Sequence, residues 1–247
     1  MRRIAIFMTI SLAALPAFAQ KQMKVKSKAE GAAVNAMLTS QDPDARIKAA
    51  DDLITKYADT EFKPYALYLE ADAYAQKNDP DKAIVFGEQA LEADPKSYQS
   101  AVLLCKMYAN TTHANDLDKA DKIAKIDKYG QQALTNLASA EKPNANLSDA
   151  DWTNVKNDLM GQAYFGLGIA AVYSNKVDDA NTDFQKVAEM DSDPTDLIRA
   201  GRAYLDVKKP DQAIPLFDKV LSSATAPAQI KTIATNDKTR AQSMIKK

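Results

Sequence analysis

One histidine, His113, and one cysteine, Cys105, are the chain's whole stock of imidazole and thiol. Nucleophilic chemistry would need the two within hydrogen-bond reach of each other. Cys105 lies in the apolar helical stretch "AVLLCKMY", and His113 follows in the polar stretch "ANTTHAND". They meet only if that turn folds back by more than a helical turn. The residues therefore predict a surface imidazole and a buried, inert thiol. "GLGIAA" (Gly166–Ala171) matches G-x-G-x-x-A, but a dinucleotide fingerprint needs a strand before it and an opening helix after it. Here the match lies inside helical sequence. Carboxylates are numerous, yet they fall at helix starts or on solvated faces. The chain holds no C-x-x-C, H-E-x-x-H or P-loop. Asn110-Thr111-Thr112 and Asn146-Leu147-Ser148 match the glycosylation acceptor pattern, which matters only in a eukaryotic source. The expectation is a protein that is not an enzyme, with no catalytic residue, metal or cofactor.

The elements that carry these residues start after a leader. Met1-Arg2-Arg3 is basic, Ile4–Leu15 is apolar, Pro16 breaks the run, and Ala17-Phe18-Ala19 precedes Gln20. That is the layout of a secretory signal peptide cleaved after Ala19, and the apolar run is shorter than the roughly 20 residues of a membrane span. A periplasmic location is expected, or a secreted one, with no membrane insertion of the mature chain. Cleavage would move the net charge from −1 to −3. Both signs are interspersed, so no basic face points to nucleic acid. A single cysteine leaves no internal disulfide to stabilise an exported protein.

The rest reads as helix. "SQDPDA" (Ser40–Ala45), "NDPDKA" (Asn78–Ala83) and "KKPDQA" (Lys208–Ala213) each place proline at a first helical position, where its missing N–H costs nothing. Asp42 and Asp79 precede it as N-caps, and Asp44, Asp81 and Asp211 follow in the first turn. Between these starts the letters return. Ala163–Pro194 aligns with Leu197–Leu221 at a spacing of 33, matching Gly168 to Gly201, Ala180 to Ala213, Phe184 to Phe217 and Val187 to Val220. Tyr65–Pro95 supplies Ala71, Tyr74, Ala83, Gly87 and Ala90 in the equivalent slots. This pattern resembles the tetratricopeptide repeat, a helix–turn–helix unit of about 34 residues. The resemblance covers most of residues 30–225. It implies an all-α solenoid, a right-handed superhelix of about four to five repeats.

Phe86–Leu91 ("FGEQAL") and Tyr129–Leu134 ("YGQQAL") are the same segment of consecutive second helices, but 43 residues apart. The surplus falls in Ala109–Asp127, so an enlarged turn and a lengthened second helix are expected there. Ser148 with Asp151 makes a capping box that starts the helix through Trp152 early. The organisation read from these signals is a leader (1–19), a degenerate capping pair (20–62), a repeat (63–97), a repeat with expanded turn (98–142), a repeat with extended first helix (143–193), a last repeat (194–225) and a C-terminal capping helix (226–247).

The resemblance also implies a binding wall along the first helices. It would hold Tyr65, Tyr68, Asp72 and Gln76, then Gln99, Lys106 and Asn110, then Gln162, Phe165 and Tyr173, and last Thr195, Arg202 and Asp206. Val102, Ile169 and Ile198 fall on the same slots, either facing a ligand or packed in the core. Tyr68 stands where chaperone-binding members of the family carry a lysine, so their carboxylate-clamp specificity is not expected. The partner implied is a protein or peptide, bound by a scaffold or adaptor without catalysis, with envelope assembly as one setting. Two alternatives stay open: a self-associating structural protein, giving a homo-oligomer, and an enzyme or small-molecule binder using the region around His113 and Trp152.

Overall fold

The computed structural model describes residues 23–144, 146–190 and 193–246; the expected signal segment, Met1–Ala19, lies outside them. The described residues form eleven helices and no strand. They are α1 (Lys28–Thr39), α2 (Pro43–Lys56), α3 (Lys63–Gln76), α4 (Pro80–Ala93), α5 (Tyr98–Thr111), α6 (Lys119–Ala138), α7 (Asp149–Tyr173), α8 (Val177–Glu189), α9 (Pro194–Asp206), α10 (Pro210–Ser222) and α11 (Ala228–Ile245). Each helix packs on the next, and α5, α7, α9 and α11 also pack in succession on one another. The odd-numbered helices thus form one wall and the even-numbered helices the other. This is the all-helical solenoid that the repeats imply. No helix of the described residues is long and apolar enough to cross a membrane.

The starts and stops follow local chemistry. The Asp42 carboxylate accepts from Ala45 N at 2.9 Å, and the Asp79 carboxylate from Lys82 N at 3.2 Å, with Pro43 and Pro80 at the first helical position. At α7, Ser148 Oγ accepts from Asp151 N at 3.0 Å and donates to Asp151 Oδ2 at 2.6 Å. Three turns inside the pairs are built alike. Asn78, Asn175 and Lys208 adopt φ of 57°, 59° and 59°, the left-handed conformation that ends a helix. The next amide in each case, Asp79, Lys176 or Lys209, donates back to the carbonyl of Tyr74, Ala171 or Tyr204 at 2.8 to 2.9 Å.

Packing repeats with the same regularity. A Cβ on Gly168 would lie 2.4 Å from Phe184 Cε1, and one on Gly201 would lie 2.4 Å from Phe217 Cε1. Both rings are fully buried, as are Ala180 and Ala213 beside them. In each pair the aromatic ring of the second helix rests on the bare backbone of the first. The recurrence of "FGEQAL" has its own consequence. Glu88 Oε1 accepts from Tyr108 Oη at 3.0 Å, Tyr129 Oη at 2.7 Å and Lys125 Nζ at 2.7 Å. The Tyr108 and Tyr129 rings stack at 5.9 Å, so one carboxylate links α4, α5 and α6. Burial works against that charge, but these donors prevail and hold the Glu88 carboxyl below its usual range.

The core divides near the N-terminal end. Val34, Met37, Ala50, Leu53, Phe62 and Ala66 form a cluster separate from the long one that runs from Leu91 to Ala241. Polar contacts cross between α2 and α3: Arg46 Nη1 reaches Asp72 Oδ2 at 3.2 Å, and Lys77 pairs with Asp44. Glu70, on α3, is fully buried, with its carboxyl set against that of Asp51. Burial, and the negative charge of Asp51 beside it, push its carboxyl up to about 8.

Candidate functional site

The odd-numbered wall is concave and encloses a groove of about 890 Å³. It is lined from α3 (Asp72, Gln76), α5 (Lys106, Asn110), α7 (Gln162, Phe165, Ile169, Tyr173), α9 (Thr195, Arg199, Arg202, Asp206) and α11 (Arg240). Of the residues singled out from the sequence, Asp72, Lys106, Asn110, Gln162, Phe165, Tyr173, Arg202 and Asp206 are brought together here. Tyr65, Tyr68 and Gln99 do not line it. The Tyr65 and Tyr68 rings stack at 5.9 Å near the N-terminal end, and burial pushes the Tyr65 hydroxyl up to about 12. Gln99 is half-buried on α5.

Several apolar slots are core. Phe165 is 1% exposed, Val102 2%, Ile169 3% and Ile198 3%. Phe165 and Ile169 form the groove's floor, so truncating Phe165 reports on packing. The reason is geometric. In a stacked array each first helix touches a neighbour on both sides, which leaves only a narrow stripe free, and branched or aromatic side chains beside that stripe are drawn inward.

The polar side chains of the groove are held by neighbours. Lys106 Nζ pairs with Asp196 Oδ2 at 3.2 Å, and Asp196 is fully buried. Burial raises the Asp196 carboxyl, while Lys106 opposes the rise. Arg202 Nε donates to Asp237 Oδ2 of α11 at 2.7 Å. Asp72 accepts from Arg46 and, at 2.6 Å, from Gln76 Nε2; burial raises its carboxyl against the pull of Arg46. Gln162 Nε2 donates to Asp158 Oδ2 at 2.9 Å.

The enlarged turn between α5 and α6 folds over one end of the groove. Ala114 N donates to Asp206 Oδ2 at 2.9 Å, across 92 residues of sequence, and Tyr173 Oη donates to the same oxygen at 3.1 Å. Burial and the Asp206 charge raise the Tyr173 hydroxyl. Lys119 Nζ holds Ala114 O at 2.9 Å, and Lys122 Nζ holds Thr111 O at 3.1 Å and Asp116 Oδ2 at 2.9 Å. His113 sits exposed in this turn. Cys105 is fully buried, its Sγ 3.7 Å from Ala163 O, and burial raises its thiol far above the ordinary range. Among the described residues no group of three or more His, Cys, Asp or Glu side chains could hold a metal ion.

Sequence reasoning missed Arg199 and Arg240. Arg199 stands one position past the Ile198 slot. Arg240 lies on a helix without the repeat pattern, where only its exposed cationic character was legible.

Two sequence models of the tetratricopeptide repeat match the chain, one over residues 64–97 and one over residues 165–229. The crystal structure of a thermophilic TPR protein from Thermus thermophilus is similar at 15% identity and a TM-score of 0.47, covering 83% of this chain and 95% of that one. No curated protein matches the chain. Repeats of this type generally build protein-interaction modules, and no catalytic family is indicated.

Proposed function

We propose that this tetratricopeptide-repeat array is an exported, non-enzymatic scaffold that binds an extended segment of a partner protein along its concave wall. The observation that carries the reading is a groove lined by five successive odd-numbered helices, α3 to α11. An extended chain can lie along such a wall, seating side chains between helices and fixing register by polar contacts. Half-buried Leu103 and Met107 offer the apolar contacts over the covered floor of Phe165 and Ile169, and Asn110, Gln162 and Thr195 offer the polar ones. The basic start, apolar stretch and Ala17-Phe18-Ala19 site support export to the periplasm, with secretion as the alternative. Work on envelope assembly would suit a scaffold in that compartment.

Selection of decapeptides from a random phage-displayed library on the purified protein tests the site. The recovered peptides should bind Asn110→Ala/Gln162→Ala at least tenfold more weakly than the parent. Gln131→Ala, on the even-numbered wall, should leave their affinity unchanged. Equal binding by the groove variant would remove the assignment.

A further inference from the structure

The groove's charged residues differ in how much hydrogen-bonding capacity they have left. Its carboxylates each already accept at least one hydrogen bond. Asp206 accepts from Ala114 N and Tyr173 Oη, Asp72 from Arg46 and Gln76, and Asp193 Oδ1 caps α9 by accepting from Thr195 N at 2.9 Å. The guanidiniums at the α9–α11 end are not used up. Each carries five N–H donors in a planar fork. Arg202 commits its Nε to Asp237 and remains 52% exposed. Arg199 has a single long contact, 3.6 Å to Asp196 Oδ1, and is 47% exposed. Among the described residues the Arg240 guanidinium has no ion pair or side-chain hydrogen bond, and Arg240 is exposed.

Orientation matters as well as number. Asp237, at 9% exposure, grips Arg202 by its Nε, and among the described residues the two terminal amino groups have no ion pair or hydrogen bond. A guanidinium held in this way loses little further freedom when it takes a carboxylate side-on. Asp196, fully buried, fastens Lys106 on Oδ2, while its Oδ1 lies 3.6 Å from Arg199 without a hydrogen bond.

At the α9–α11 end the spare donors are charged and planar, and such donors favour a ligand that brings carboxylates to them. We infer that the segment bound in the groove is acidic, with its Asp or Glu carboxylates seated at the α9–α11 end on Arg199, Arg202 and Arg240. The inference rests on the groove reading proposed above. It concerns the end of the groove farthest from Tyr68.

The decapeptides recovered in the selection above supply the probe. They should be enriched in Asp and Glu. Resynthesis with every Asp as Asn and every Glu as Gln should weaken binding to the full chain at least tenfold, measured by fluorescence anisotropy at low salt. Arg240→Gln and Arg199→Gln, with helical content and Tm as controls, should each weaken the acidic peptides threefold or more and leave the amide versions unmoved. Arg202→Lys keeps the charge facing Asp237 but loses the fork, and should weaken the acidic peptides similarly. Peptides that bind the groove without acidic enrichment, or that bind equally after amide replacement, overturn this inference and leave the groove standing. Peptides insensitive to Asn110→Ala/Gln162→Ala remove both.

Discussion

Phe217→Ala is expected to lower the free energy of unfolding by about 3–5 kcal/mol, and Phe184→Ala by a similar amount. Both rings are fully buried, and both lie on a glycine one helix away, at Gly201 and Gly168. Truncation opens a cavity that the flanking helices cannot close without losing their own register. The glycines give the reciprocal effect. Gly201→Ala places a methyl 2.4 Å from Phe217 Cε1, a distance neither atom can hold. The helix-propensity gain of about 1 kcal/mol is outweighed by overpacking of about 1–3 kcal/mol. In the Phe217→Ala background the same methyl enters free space, so Gly201→Ala should then stabilise. Urea unfolding of the four proteins in each cycle measures the coupling. Similar coupling in the 168/184 and 201/217 cycles shows that the two contacts are one contact repeated. Additive effects at either site would contradict it.

Glu70→Gln should stabilise the protein at alkaline pH and leave it little changed at pH 4. The Glu70 carboxyl is raised to about 8 by burial and by Asp51, against roughly 4.3 for a free side chain. The folded state therefore keeps a proton that the unfolded chain releases. Stability from this group is intact below the unfolded value, falls by about 1.4 kcal/mol per pH unit above it, and levels off as pH passes the folded value. Asp183, raised to about 6 by burial, adds a slope of the same sign in parent and variant alike, so the difference between them isolates Glu70. Chemical denaturation at pH 5, 6.5 and 8 should show a gap that widens to a few kcal/mol at pH 8. Parallel curves would mean that Glu70 reaches solvent. The loss falls where the two hydrophobic clusters are divided, so hydrogen-exchange protection, corrected for the intrinsic pH dependence of exchange, should fall first in α1 and α2 as pH increases.

The fold was legible because its causes are local or periodic. Pro43, Pro80 and Pro210 with neighbouring aspartates mark helix starts, and the spacing of Gly168 from Gly201 and of Phe184 from Phe217 marks the stacking period. The surplus between Phe86 and Tyr129 is taken up by the turn before α6 and by the length of that helix. The groove was legible only in part. A helical slot says which way a side chain leaves the axis, not how far the next helix covers it, and so Phe165, Val102, Ile169 and Ile198 were open between wall and core. The fold-back of the enlarged turn onto Asp206 depends on a contact across 92 residues, which no local pattern encodes. Arg240 joins the groove only because α11 packs on α9, a placement set by tertiary packing.

Methyl and amide chemical-shift mapping of a groove-selected peptide on the isotope-labelled protein is the most direct test. Perturbations should cluster on the inner face of α5, α7 and α9, with Ile169 and the amides beside Asn110, Gln162 and Arg202 among the largest. A peptide that instead perturbs the cleft between α6 and α8, around Asp127, Tyr164 and Asp183, would contradict the account.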